Sequence, residues 1–128
     1  VRALLDTHAL LWAVLAPSQL SGSASALISN LDNQILVSAA SAWEIATKVR
    51  IGKLPGAEAF EKQFIDTVGA AGYSLLAIEA AHALRAGRLI GQHGDPFDRM
   101  IAAQAIADDI PVISSDFKLD SFGVRRIW

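Results

Sequence analysis

Two hydrophobic rhythms alternate along the chain. Short, largely apolar runs at 2–5, 35–37, 74–78, 112–114 and 124–127 are bounded by polar or turn-forming residues and predict short buried strands. Between them, the segments 9–15, 24–31, 38–49, 58–71, 79–89 and 96–107 carry the patterning of helices. The 58–71 stretch is amphipathic and is expected to run unbroken to a stop at Gly72. Pro17, Ser18 and Gly22, then Asn30, Asp32 and Asn33, then Gly52 and Pro55 punctuate the series, and Gly91 to Gly94 form a loop. Residues 100–107 are apolar nearly all round, which suits a buried helix. Strands alternating with helices predict an α/β fold with parallel pairing and helices on both faces. No repeat, low-complexity tract or linker interrupts it, so residues 1–128 are expected to form a single domain.

Composition narrows the chemistry. The absence of cysteine excludes disulfides, thiolate metal sites and a cysteine nucleophile, and is compatible with the expected cytoplasmic location. No leader pattern is read, and the apolar run 9–16 is far shorter than the roughly 20 residues of a membrane span, so no membrane partner is expected. Eleven Lys and Arg against 13 Asp and Glu give a charge of -2, which argues against broad, non-specific binding to nucleic acid. Basic residues still gather at Lys48, Arg50 and Lys53, at Arg85 and Arg88, and at Arg125 and Arg126.

Open α/β sheets place ligands beyond the carboxyl ends of their strands. Asp6 ends the first strand run, and Asp116 follows the 112–114 run. Glu44 and Asp98 lie in the first turns of the helices that begin near 38–41 and at Pro96. Such carboxylates repel one another at close range unless cations lie between them, and hard oxygen ligands select Mg²⁺ or Mn²⁺. That combination suits phosphodiester hydrolysis. Each acid also has a purely local reading. Asp95-Pro96-Phe97-Asp98 is a helix start with Asp95 as N-cap and Asp98 at the third position, and Ser41-Ala42-Trp43-Glu44 matches a capping box, with Ser38 as an alternative cap. Asp6 could cap the helix after it, and Asp116 could open a turn. Thr7, Ser38, Ser41, Ser114 and Ser115 place hydroxyls near the same ends, where caps are common. His8 and His93 share no ligand spacing and His82 lies in an alanine-rich stretch, so no histidine site is expected. Gly87-Arg88-Leu89-Ile90-Gly91 matches no phosphate-binding loop.

Taken together in order, Leu5-Asp6-Thr7-His8, Ser38-Ala39-Ala40-Ser41-Ala42-Trp43-Glu44-Ile45, Asp95-Pro96-Phe97-Asp98-Arg99-Met100-Ile101-Ala102-Ala103-Gln104-Ala105 and Pro111-Val112-Ile113-Ser114-Ser115-Asp116 resemble the PIN-domain family. Within it they resemble the toxin members of type II toxin–antitoxin pairs, the VapC group. The resemblance covers essentially the whole chain. It implies a three-layer α/β/α fold with a central parallel sheet of about five short strands. It also implies that Asp6, Glu44, Asp98 and the more variable Asp116 bind Mg²⁺ or Mn²⁺, with Thr7, Ser38 and Ser115 as supporting polar residues. The implied activity is hydrolysis of RNA of the translation machinery, leaving a 5′-phosphate and a 3′-hydroxyl without a histidine base. The implied partners are a small cognate antitoxin and a second copy of the chain. Arg85, Arg88, Arg99 and Lys48 are the expected RNA contacts, and the apolar stretches 9–15 and 24–31, with Trp12, could be covered by the antitoxin or simply pack on the sheet. The rival readings are a catalytically inactive binding protein of the same fold and a nuclease acting on DNA.

Overall fold

The three central strand runs are buried on both faces in the computed structural model, which describes residues Val1–Trp128, while the edge strands are only partly covered. The strands are β1 (Arg2–Leu5), β2 (Gln34–Ser38), β3 (Ser74–Leu76), β4 (Val112–Ile113) and β5 (Arg126–Ile127). They pair in parallel throughout, in the order β3-β2-β1-β4-β5. Alternate residues of a strand point to opposite faces. Accordingly Ala3, Leu5, Ile35, Val37 and Ile113 join one buried cluster, and Leu4, Leu36 and Val112 join the other.

Helices α1 (Thr7–Leu15), α2 (Gly22–Ser29), α3 (Ala39–Arg50), α4 (Glu58–Lys62) and α5 (Phe64–Ala70) supply Leu10, Ala24, Ile45, Phe60 and Phe64 to the first cluster. Helix α7 (Pro96–Asp108) supplies Ile101, Ala102 and Ala105 to the second, with Leu89 following α6 (Ala80–Arg88) packed against it. The result is the three-layer α/β/α arrangement. A fully buried side chain such as Leu5, Leu10 or Ile101 contributes roughly 1.5–3 kcal/mol by leaving water. The expected apolar faces of 9–15 and 24–31 are largely used this way: Ala9, Leu10, Leu11 and Ala24 are buried, Leu27 and Ile28 pack beside them, and Trp12 lies against Trp128.

The 58–71 segment departs from the expected single helix. It breaks at Gln63, whose N–H is shared between the Ala59 and Phe60 carbonyls at 3.2 Å as α4 tightens into its last turn. Across the break the Phe60 and Phe64 rings still stack 5.3 Å apart inside the same core. His82 is also settled: its Nδ1 accepts from the Glu79 N–H at the start of α6. No helix is long and apolar enough to cross a membrane.

Register is what matters for the site. Leu5 pairs with Val37 and with Ile113, so the carboxyl ends of β1, β2 and β4 finish side by side. Asp6, Ser38 and Ser114 are the residues that follow or close those ends.

Candidate metal centre

Asp6 leaves β1 in an extended conformation and caps α1, its Oδ1 accepting from the Ala9 N–H at 2.8 Å. The capping reading is therefore correct, but it occupies one oxygen. Oδ2 accepts from the Ser114 hydroxyl at 2.5 Å, across the gap between β1 and β4. Only 3% of Asp6 is exposed. Burial pushes its pKa up to about 6; the hydrogen bonds from Ser114 and Ala9 oppose the rise, and the charge of Asp98 adds to it.

Ser38 is the cap of α3, with its Oγ accepting from the Ala40 N–H, so the third helical position is Ser41. Glu44 lies almost a turn further on and caps nothing. It is 4% exposed. One of its oxygens accepts from the Lys48 ammonium, and the other, Oε1, is buried with no hydrogen-bond partner. Burial works against the charge of Lys48, but the hydrogen bond to Glu44 and the charges of Glu44, Asp95 and Asp98 outweigh it and raise its pKa.

At α7 the two neighbouring acids divide their work. Asp95 is the cap, its Oδ1 accepting from the N–H groups of Phe97 and Asp98 at 2.9 and 3.0 Å. The Asp98 side chain is thereby left free of the helix start. Its Oδ2 meets Nε2 of His93 at 2.7 Å. Burial raises the Asp98 pKa, helped by the charges of Asp95 and Glu44 and opposed by His93. Asp116 opens the 3-10 turn Phe117–Phe122, Oδ1 accepting from the Lys118 N–H, while Oδ2 faces the same His93 nitrogen at 3.8 Å. One ligand atom from each of His93, Asp98 and Asp116 lies within 4.8 Å of the others.

His93 is the residue that sequence reasoning missed. It lies in a loop between α6 and α7 with no ligand spacing to another histidine. Its one sequence signal is closeness to the Asp95-Pro96 helix start, which forces the loop to cross the first turn of α7. Arg99 fixes that loop. Its guanidinium donates to the carbonyls of Ala86, Leu89 and His93 at 3.1, 2.6 and 3.2 Å and lies 5.4 Å over the Phe122 ring. Three of the five N–H donors of Arg99, an expected RNA contact, are thus engaged within the fold. Gly91 is needed here too, because a Cβ would come within 2.6 Å of Phe122.

The supporting hydroxyls also sort differently from expectation. Ser114 is the one that touches an acid; Ser115 is exposed and has no side-chain hydrogen bond. Thr7 bonds Ser41 at 3.0 Å, and Ser38 donates to Gln104 Oε1 at 2.5 Å, tying α3 to α7 rather than reaching the acids. Arg85 and Arg88 are exposed on α6 beside a cavity of about 670 Å³ with Leu84, Ile90 and Phe122 on its wall. A polar cavity of about 360 Å³ beside His93 is lined by Gln92, His93, Lys118 and Ser121.

The donor set fits a divalent cation. A buried carboxylate oxygen without a partner costs at least about 1–3 kcal/mol, more when charged, and Glu44 Oε1 is such an oxygen. Asp6 feels the charge of Asp98 and Asp98 that of Glu44, with Lys48 and His93 as the compensating contacts. Oxygen ligands of this kind suit Mg²⁺ or Mn²⁺.

Comparison with known proteins agrees with this geometry. Over 57 residues the chain is 44% identical to Ribonuclease VapC16 of Mycobacterium tuberculosis, a match spanning 44% of this chain and 40% of that relative's length. The fold superimposes on the crystal structure of VapBC2 from Rickettsia felis bound to a promoter DNA fragment with a TM-score of 0.69 at 16% identity, covering 99% of this chain and 98% of that one. FitAcB from Neisseria gonorrhoeae gives a TM-score of 0.69 at 18% identity, covering 98% and 96%. At such identities these two likenesses concern the fold alone. The family model for the PIN domain matches residues 3–124, and the chain belongs to the PIN-domain family.

Proposed function

We propose that the protein is a divalent-metal-dependent endoribonuclease and the toxin of a toxin–antitoxin pair. The observation that carries the metal-dependent hydrolase is the buried, unpartnered Oε1 of Glu44, with Asp98 feeling the charge of Glu44, Asp6 feeling that of Asp98, and Asp98 and Asp116 gathered with His93 within 4.8 Å. Asp6, Glu44 and Asp98 would hold Mg²⁺ or Mn²⁺, with Asp116 completing the set at the exposed side. When bound, such an ion would supply charge neutralisation at a phosphodiester and lower the pKa of water toward neutral. Ser114 orients Asp6, and the cap supplied by Asp95 holds Asp98 at the mouth of the site. Hydrolysis by water leaves a 5′-phosphate and a 3′-hydroxyl.

RNA as substrate is supported by the partial likeness to Ribonuclease VapC16. Arg85 and Arg88 on one side and Lys118 beside His93 offer a phosphate path outside the acids. Lys48, bonded to Glu44 and partly exposed, is a further candidate for a phosphate contact. The fold likeness to VapBC2 and FitAcB supports an antitoxin partner and a paired assembly. RNA of the translation machinery is the target class we assign by family resemblance.

The test is cleavage of an RNA pool and of matched DNA with Mg²⁺, Mn²⁺ or EDTA, with both product ends mapped. Metal-dependent RNA products bearing 5′-phosphates support the reading. Cleavage of DNA alone, or 2′,3′-cyclic ends, contradicts it. Growth arrest on expression, relieved by the product of a neighbouring reading frame, is the expected sign of the toxin role.

A further inference from the structure

One ligand-type atom besides the acids is aimed into them: the Nε2 of His93, which bonds Asp98. His93 Nε2 stands 2.7 Å from Asp98 Oδ2 and 3.8 Å from Asp116 Oδ2. Ligands each about 2.1 Å from one ion stand about 3 Å apart when adjacent and about 4.2 Å when opposite. These separations are close to those of a shared coordination shell, so little movement would bring the three atoms onto one cation. The imidazole is also aimed in advance. Its ring lies against Phe122, with centroids 6.1 Å apart, and its backbone carbonyl is held by Arg99, which packs over the same ring. A mere helix-capping or solvent-facing histidine would require none of that support. Its side chain is 16% exposed, enough for an ion to reach it and too little for it to swing freely.

We propose that His93 is itself a metal ligand through Nε2, sharing Asp98 and Asp116, and that it biases this centre toward Mn²⁺ over Mg²⁺. The inference rests on the reading of the acids as a metal centre. The bias follows from donor type. Mg²⁺ demands near-ideal oxygen coordination and gives up water reluctantly, whereas Mn²⁺, which shares its preference for carboxylates, tolerates an imidazole nitrogen in its shell better than Mg²⁺ does. The all-oxygen donors Asp6 and Glu44 serve either metal, so the nitrogen is the discriminating element.

The probe is Mn²⁺ bound to the whole protein without RNA, observed by pulsed electron paramagnetic resonance, with Mn²⁺ and Mg²⁺ affinities from calorimetry. Wild type is expected to show imidazole nitrogen coupling to Mn²⁺. It should also bind Mn²⁺ at least about tenfold more tightly than Mg²⁺, the scale on which lost site contacts are felt. His93→Asn should lose the coupling and most of the preference while still binding both ions. The wild-type spectrum stands even if that variant folds poorly. Bound Mn²⁺ that is sensitive to Glu44→Gln but shows no nitrogen coupling overturns the inference and leaves the acid centre intact. Failure of wild type to bind either ion overturns both. Coupling that persists in His93→Asn also rejects His93 as the ligand.

Discussion

The two edges of the sheet handle charge in opposite ways. At the amino edge, Val1, Arg2, Asp108, Asp109, Ile110, Pro111, Arg125 and Ile127 line a cleft of about 590 Å³. Its charges alternate in sign: Arg2 lies 4.0 Å from Asp108 and Arg125 3.5 Å from Asp109, largely in solvent. At the carboxyl edge, Asp6 and Glu44 are buried, Asp98 lies near both and Asp116 near Asp98; Lys48 and His93 contact Glu44 and Asp98, while His8 and Arg126 bear on Asp6 and Asp116 from the side. The amino-edge cleft is thus self-neutralised. What sets the candidate metal centre apart is the pair of buried carboxylates Asp6 and Glu44, with one oxygen of Glu44 left without a partner.

Several substitutions sharpen or break that contrast. The largest effect is expected at the carboxyl edge. Asp98→Asn should fold and lose metal-dependent cleavage by at least about 100-fold. Turnover at matched folded concentration measures it, and near-normal cleavage by Asp98→Asn would remove Asp98 from the centre.

A pH effect follows next, in metal-free protein. The pKa of Asp6 is raised from 3.8 to about 6, so the native state binds more protons than the unfolded chain between those values. Stability from this group is full below about pH 3.8 and is lost as pH rises through about 6. About two units correspond to about 3 kcal/mol. In EDTA, denaturant midpoints should fall over that range for wild type, and Asp6→Asn should flatten the fall. Parallel profiles for the two proteins would contradict the assignment.

Asp95→Ala removes a cap and should cost about 0.5–2 kcal/mol, with cleavage per folded molecule largely retained. Urea unfolding beside turnover separates this from Asp98→Asn; equal catalytic losses would mean that the roles of the two acids are wrongly divided. Smallest of all, Arg2→Ala breaks a solvent-exposed pair and should change stability by no more than about 1 kcal/mol, with metal affinity unchanged. A loss of metal binding there would erase the distinction between the edges.

The sheet was legible because β1, β2 and β4 are compact apolar runs ending in a polar residue. The acids at their ends follow from the same pattern. The break at Gln63 left no such mark: Phe60, Phe64 and Val68 keep helical spacing whether or not the helix is continuous. Glu44 was ambiguous because Ser38 and Ser41 can each cap a helix, and only the observed start of α3 decides between them. His93 and Arg99 were illegible for a different reason. Their roles depend on a loop crossing the first turn of α7 and packing on Phe122, contacts made in three dimensions between segments with no periodic signal. Arg99 was accordingly expected at the groove, where an exposed arginine would serve.

The central claim is that Glu44 and its neighbouring acids await a cation. The direct measurement is the melting temperature of wild type and Glu44→Gln, each with EDTA, Mg²⁺ or Mn²⁺. Binding to the native state alone should raise the wild-type value with increasing metal. Glu44→Gln should melt at least as high as wild type in EDTA, having lost a buried charge, and should gain much less from either ion. An equal metal-induced rise in both proteins, or none in wild type, would contradict the account.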